Sequence, residues 1–448
     1  MLKIISRFKF LIIILIEVIC ASNVKWGNDR WKEMVSFDGK GYYAYLPAFF
    51  IYHDLHFNFK NEIEKKYSSP RNYYEYRVAA GEGIINKYFV GTAISQLPFF
   101  MVAHGITILT GGSADGYSYF YMIFISIASI FYSIVGLFFL EKTLRLYNIK
   151  DVVITSTIFS IVFGTQLFYY TVFDPSLSHI YSFSAFSILL YSLKNFADNP
   201  NNKYLFLSAV ILGWIFLIRP VNILVILIFP FISGSKKNFT DALSYLLKNR
   251  PALMFSFLLF ILPISVQVLI YYFQSGILWP DSYPVEHFIW NRPEIINILF
   301  SYKKGFFLYT PLAFLSLAGL IFVWRKSRFA FLSFSLFFIS ITYVFSCWWS
   351  WWYGGSFSSR PYMEYLGIFA ILFAILLSEI KRKLILRSTL GLIISLILIC
   401  QVQTYQYRYY IIHWEKMDRE HYWRVFMRVD QLIKHENANA DFIDEIKK

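Results

Sequence analysis

The chain has 448 residues, 57% of them hydrophobic and 21% aromatic but only 16% charged, a balance that excludes both an ordinary soluble globule and a disordered chain. Its formal charge of +14 does not point to nucleic acid, because Lys and Arg sit in short stretches between apolar runs, where they orient a membrane protein and meet anionic lipid. Three cysteines in or beside apolar runs and eight scattered histidines give neither a disulfide framework nor a metal-ligand spacing.

A helix needs roughly 20 apolar residues to cross ~30 Å of hydrocarbon. The N-terminal run, residues 1–23, has a basic start (Lys3, Arg7, Lys9) and carries Glu17 inside its apolar stretch, which reads as an uncleaved first helix packed on others rather than a signal peptide. A long polar loop, residues 23–86, follows. Residues 88–109 pose a choice. If they span, the basic stretch at 142–150 falls outside; if they lie along or re-enter the outer leaflet, the basic loops at 142–150, 194–203, 236–250, 325–328 and 381–387 all face the cytoplasm. The second reading is taken.

Residues 152–170, 255–273, 306–324 and 384–400 are among the expected spans, and Arg219-Pro220 breaks a short hairpin pair. The expected fold is all-α: a polytopic membrane bundle of about eleven spanning helices over residues 1–402, with its N-terminus cytoplasmic. An external tail, residues 403–448, holds one interfacial helix over 413–433.

This topology leaves the polar chemistry outside. In Ser36-Phe37-Asp38-Gly39-Lys40-Gly41-Tyr42-Tyr43, a carboxylate at the membrane surface with glycines beside it suits a general base on a hydroxyl or amine; the same residues also suit Asp38 as a helix N-cap in an aromatic belt. Lys87-Tyr88 at the mouth of the next apolar run either meets a lipid phosphate or snorkels. Asp174 and His179 lie in one turn, as cap and packed polar residue or as site groups. Arg219, Lys303, Lys304 and Arg360 are cations in external loops, where short loops are normally poor in them, and such cations ask for an anionic partner. The aromatic stretch 348–353 offers a sugar face or an interfacial belt.

The chain has no Walker loop, GxSxG, HExxH or Rossmann fingerprint on a cytoplasmic loop, which disfavours nucleotide-driven transport and serine or zinc hydrolysis. With no cytoplasmic domain for a nucleotide sugar, an activated donor would have to arrive in the membrane. No cofactor is expected; the one divalent-ion role the residues offer is a bridge between Asp38 and Asp174.

In order and external placement, these segments resemble the membrane-embedded GT-C glycosyltransferases, in particular family 39-like relatives of the protein O-mannosyltransferases and the lipid A aminoarabinose transferase. The carriers are Asp38-Gly39-Lys40-Gly41-Tyr42-Tyr43, Lys87-Tyr88-x-x-Gly91 followed by Leu97-Pro98-Phe99-Phe100, Asp174-Pro175-Ser176-x-Ser178-His179, Ile218-Arg219-Pro220, Lys304-Gly305-x-x-x-Tyr309-x-Pro311, and Trp351-Trp352-x-Gly354-Gly355 leading to Arg360-Pro361. The resemblance implies surface helices in the first loop and inverting transfer of a sugar from a polyprenyl-phosphate carrier to a lipid, glycan or protein acceptor. Asp38 would be the base, and Lys40, Tyr43, Lys87, Tyr88, Asp174, His179, Arg219, Lys303, Lys304 and Arg360 would bind substrate, at the external face of a bacterial inner membrane. Two departures stand out: Gly39 replaces the second acid of the first motif, and Tyr88-Phe89-Val90-Gly91 replaces a His-Pro-Pro-Leu segment. The competing readings are a flippase or transporter of a lipid-linked glycan, which would carry its charges near the bilayer midplane, and a polysaccharide ligase or polymerase.

Overall fold

The apolar runs are helices in the computed structural model, which describes residues 2–68 and 73–428. In chain order these are α1 (Leu2–Ala21), α2 (Asp38–Pro47), α3 (Lys60–Tyr67), a hairpin of β1 (Arg77–Ala80) and β2 (Gly83–Asn86), α4 (Gly91–Leu109), α5 (Tyr119–Leu146), α6 (Asp151–Gly164), α7 (Leu167–Val172), α8 (Ser178–Asp198), α9 (Asn202–Ile218), α10 (Phe229–Ser233), α11 (Lys236–Lys248) and α12 (Arg250–Ser275). There follow α13 (Ile295–Phe300), α14 (Phe306–Tyr309), α15 (Pro311–Ser316), α16 (Leu320–Lys326), α17 (Arg328–Ser346), α18 (Leu366–Glu379), α19 (Lys383–Arg408) and α20 (Arg419–Val425).

Six helical segments among the described residues are long and apolar enough to cross a membrane: Gly91–Leu109, Tyr119–Leu146, Arg250–Ser275, Arg328–Ser346, Arg360–Glu379 and Lys383–Arg408. Three shorter apolar ones are Asp151–Gly164, Asn202–Ile218 and Pro220–Ser233. The chain is an integral membrane protein built of helices. The stretch expected at the outer leaflet is a continuous 19-residue helix, α4, which carries Pro98 inside it.

The chain divides into two compact units. The larger is Phe10–Leu146 with Tyr170–Glu286. In it α4 packs on α5, α5 along α8, α8 along α9, and α9 along α12. Lipid supplies no hydrophobic drive between such helices, so close approach through small residues matters. The sequence of α8 provides it: Ser178, Ser182, Ser184, Ser187 and Ser192 are all buried, and the Ser192 hydroxyl meets that of Ser208 on α9 at 2.8 Å. Glu17 of α1 is buried and accepts from Ser133 of α5 at 3.3 Å, the packing that a carboxyl inside an apolar helix calls for.

The first loop contains α2 and α3, as the family resemblance implied, together with a hairpin that an all-α reading omits. Its antiparallel register pairs Arg77 with Asn86 and Ala80 with Gly83.

The smaller unit is Met1–Lys9, Tyr147–Tyr169 and His287–Lys448. Here α18 packs on α6 and α19 packs on α6, while α17 runs beside α16. Residues 306–324, expected as one helix, are divided instead. Pro311 has no N–H to donate, Thr310 leaves helical geometry (φ −134°, ψ 61°), and the chain restarts as α15, a 3-10 turn and α16. Residues 152–170 likewise break after Gly164 at Thr165 (φ −135°, ψ 179°).

The tail also differs from expectation. Helix α19 continues to Arg408, and the segment 409–418 turns rather than coils because the His413 Nδ1 accepts the backbone N–H groups of Glu415 (2.8 Å) and Lys416 (2.7 Å). The Asp418 side chain then caps α20 through the His421 N–H. Residues 429–433 of the expected helix lie outside the described residues.

Candidate active site

The larger unit assembles a site around Asp38, the first residue of α2. Two of the first four residues of that helix are glycines, which cost helix propensity, so tertiary packing has to hold it. A Cβ on Gly39 would lie 2.0 Å from the Ser176 hydroxyl, and one on Gly41 would lie 2.2 Å from the Tyr88 ring. The glycines therefore let the first turn of α2 settle against the 174–176 turn on one side and Tyr88 on the other. Phe37, just before, takes φ +46° and ψ −126°. Strain of this kind costs on the order of 1–3 kcal/mol and persists only where the surroundings impose it, commonly at functional sites.

Two phenols converge on the half-buried carboxylate. Tyr88 donates to Asp38 Oδ1 at 2.8 Å and Tyr74 donates to the same oxygen at 2.9 Å, the two hydroxyls also touching each other. Tyr88 is fixed through its backbone: its N–H donates to Asn86 Oδ1 (3.0 Å), Asn86 Nδ2 donates to the Gly41 carbonyl (2.7 Å), and the Tyr45 hydroxyl donates to the Tyr88 carbonyl (2.7 Å). Three residues on, Gly91 begins α4 where any Cβ would fall 2.5–2.6 Å from the Leu217–Ile218 backbone. That close approach sets the start of α4 against the end of α9, beside the Arg219-Pro220 break.

At this break Arg219 Nη1 meets His179 Nδ1 at 3.1 Å, and Asn222 donates to Ser182 at 2.9 Å, clipping the 3-10 segment to the start of α8. Lys87 pairs with Glu286 at 2.9 Å and lies 5.2 Å from the ring centre of Tyr74, 5.4 Å from that of Tyr88 and 5.8 Å from that of Tyr283. Tyr283 stands edge-on to Tyr88 at 6.3 Å. Burial pushes its phenol well above the usual range, and Tyr42, Asp38 and Glu286 push it further while Arg219 opposes them. One ring thus feels the acids and the arginine together.

Of the sequence-derived candidates, Asp38, Lys87, Tyr88, Asp174, His179 and Arg219 belong to this neighbourhood, Asp174 through the turn whose Ser176 abuts Gly39. Lys40 and Tyr43 are engaged on other partners. The Lys40 ammonium is buried against both Glu64 oxygens (2.8 Å) and Ser68 (2.9 Å), and burial lowers its pKa against the pull of Glu64. Tyr43 is fully buried and donates to the Gly116 carbonyl. Lys40 holds the first loop together, and Tyr43 ties α2 to the turn between α4 and α5. Tyr74, Tyr283 and Glu286 are absent from the sequence reading: Tyr74 lies in a tyrosine-rich stretch and Tyr283 and Glu286 in a loop, with no motif around them.

Lys303, Lys304 and Arg360 fall in the smaller unit. Lys303 Nζ lies 3.6 Å from the ring centre of Trp352 and 3.9 Å from Glu415; burial lowers its pKa and Glu415 opposes that. Lys304 is buried, donates to the Ser356 carbonyl and to the Tyr407 hydroxyl (3.3 Å), and lies 4.8 Å from the centre of the Tyr407 ring. Arg360 opens the 3-10 turn Arg360–Tyr365. The Trp-rich stretch therefore supplies a cation–π face to one of these lysines. Among the described residues, no three His, Cys, Asp or Glu side chains group as metal ligands.

No family model matches the chain, and no curated protein does. Among solved structures, the archaeal oligosaccharyltransferase AglB from Archaeoglobus fulgidus, in complex with an inhibitory peptide and a dolichol-phosphate, is similar over 93% of this chain and 57% of its own, at a TM-score of 0.45 and 10% identity. The chain thus matches little more than half of that protein's length, and at this level of similarity a functional reading rests on the residues themselves.

Proposed function

We propose that the protein is an inverting glycosyltransferase that moves a sugar from a polyprenyl-phosphate carrier to a hydroxyl or amine acceptor at the external face of the membrane. The observation that carries this reading is the Asp38 carboxylate, held at a strained helix start between two phenols, with Lys87 and Arg219 in the same neighbourhood and outside the helices long enough to span. A carboxylate so held suits a general base, which contributes about 10²–10⁴-fold. The acceptor oxygen or nitrogen bonds to the anomeric carbon, its proton passes to Asp38, and the bond from that carbon to the carrier phosphate breaks, the electron pair leaving on the phosphate. Lys87, by exchanging Glu286 for the phosphate, and Arg219 offset the charge that develops there. Tyr42, Tyr88 and Tyr283 provide faces for the sugar ring.

Lys303, Lys304 and Arg360 make a second cationic region suited to an anionic head group. Functional charges lying outside the spanning helices favour a transferase over a transporter, whose charges belong near the midplane.

The test is transfer of radiolabelled sugar from a panel of polyprenyl-phosphate monosaccharides to membrane acceptors, with Asp38→Asn compared at equal expression. Loss of transfer with donor binding retained supports the base. Unchanged transfer removes Asp38 from the mechanism. No transfer from any donor by the wild type moves the reading to transport of a lipid-linked glycan.

A further inference from the structure

The geometry points to Tyr74 and Tyr88 as positioning residues that jointly hold Asp38 in its ionised form and fix the plane of its carboxyl. This rests on the assignment of Asp38 as base.

Hydrogen bonds given to the charged form of an acid favour that form. Here two phenols from different parts of the first external region donate to one oxygen, at 2.8 and 2.9 Å. Each phenol is anchored independently of Asp38. Tyr88 is held by Asn86, Tyr45 and the space left by Gly41. Tyr74 is held by its neighbour Glu75, a hub that accepts from Lys60 (3.1 Å), from Tyr73 (3.0 Å) and from Arg77 through its backbone N–H (3.0 Å), Nε (3.0 Å) and Nη2 (3.1 Å). An arrangement that served only packing would not need both hydroxyls on the same oxygen. Two anchored donors on one oxygen also fix the plane of the carboxyl before the acceptor arrives, while making it a somewhat weaker base.

Other charged and titratable groups face the same space. Lys87 and Glu286 pair with each other, Arg219 meets His179, Tyr42 and Tyr283 stand beside Tyr88, Asp174 sits in the turn against Gly39, and Lys40 on the same helix is neutralised by Glu64. The Tyr→Phe changes keep the rings beside Lys87 and Tyr283 and remove only a hydroxyl, and because the two hydroxyls touch each other, the double variant is compared with both singles.

The experiment uses full-length protein in detergent and the variants Tyr74→Phe, Tyr88→Phe and the double variant. Tyr67→Phe, which removes a phenol from a different carboxylate, Asp115, is the control. A water-soluble carbodiimide with an amine nucleophile labels protonated carboxyls, and peptide mass spectrometry follows the Asp38 label across pH whether or not the variants transfer sugar. Each single variant is expected to raise the Asp38 labelling midpoint by about one pH unit, the effect of losing one hydrogen bond to a charged group, and the acidic limb of the transfer–pH profile should move with it. The double variant should move further and Tyr67→Phe not at all. Midpoints that stay in place overturn the positioning role even if Asp38→Asn abolishes transfer. A shifted midpoint with no effect of Asp38→Asn on transfer upholds the phenols' hold on the carboxyl and overturns the base instead.

Discussion

The neighbourhoods of Asp38 and of Lys303-Lys304 both keep charge in largely enclosed surroundings, and they do it by opposite means. Around Asp38 charge is met by directed donors and opposite ions: two phenols on the acid, Glu286 on Lys87, Glu64 on Lys40. Around Lys303 and Lys304 it meets π faces and carbonyl or hydroxyl oxygens, those of Trp352, Tyr407 and Ser356, and the Glu415 carboxylate lies 3.9 Å from Lys303. Directed partners fix a group in one geometry, as a base requires. A ring face attracts a cation without locking its direction, which leaves the ammonium able to turn towards an incoming anion. The acid is fixed by its donors, whereas Lys303 lies over a ring that does not set its direction.

Asp38→Asn gives the largest expected effect. Asparagine keeps the shape but takes up no proton, so transfer should fall about 10²–10⁴-fold with donor binding retained. A comparable fall for a Lys303 variant would break the comparison, since it would make the second region as decisive for chemistry as the first.

Next comes the ion pair that supports α2. Lys40 and Glu64 retain only 9% and 11% side-chain exposure, so Lys40→Met leaves a buried carboxylate without its counter-ion. The expected cost is about 3–5 kcal/mol, read as a lower unfolding midpoint in detergent, with most of it recovered in Lys40→Met/Glu64→Leu. Because the lysine is structural, a variant that lowered transfer without lowering the unfolding midpoint would put it back among the substrate contacts.

How much of this was legible depends on whether a residue's role is local. The Arg219-Pro220 break follows from what proline does to a helix, whereas the approach of Ser176 and Tyr88 to the glycines flanking Lys40 is a tertiary matter. Asp38 was readable as an acid at a helix start; its two phenols were not, because Tyr74 is 36 residues away and Tyr88 50 residues away. The hairpin at residues 77–86 has four-residue strands too short to show a pattern, and the division of residues 306–324 is marked in the sequence by Pro311 alone, since apolarity is the same on both sides of it. Lys40 was misjudged for a related reason. The resemblance gives it a substrate-binding role, and its partner Glu64 is 24 residues on.

A smaller effect tests the ring-bound lysine. Lys303→Met keeps the stem over Trp352 and deletes the charge. If Lys303 turns to an anionic head group, the Kd for an anionic lipid in mixed micelles should rise about tenfold, the value of one charge-assisted contact. An unchanged Kd would leave Lys303 as an internal partner of Trp352 and Glu415 and narrow the difference between the two regions.

The smallest effect concerns the tail that brings Glu415 to Lys303. His413 is held down to about 4 from its ordinary 6.5, first by burial and then by Lys416, Lys304, His421 and Lys303. The fold therefore favours the neutral ring, whose Nδ1 must stay unprotonated to accept the Glu415 and Lys416 N–H groups. A depressed folded pKa contributes stability that is whole above the unfolded value and is lost as pH falls through the folded one. Residues 409–418 should accordingly loosen as pH drops from about 6.5 towards about 4, seen as faster proteolysis there while cleavage in the first loop holds steady. His413→Asn places a neutral oxygen acceptor near the same point and has no proton to gain, so its proteolysis should be flat over that interval; a variant that loosens with the wild type would show that another group in the cation cluster controls the turn.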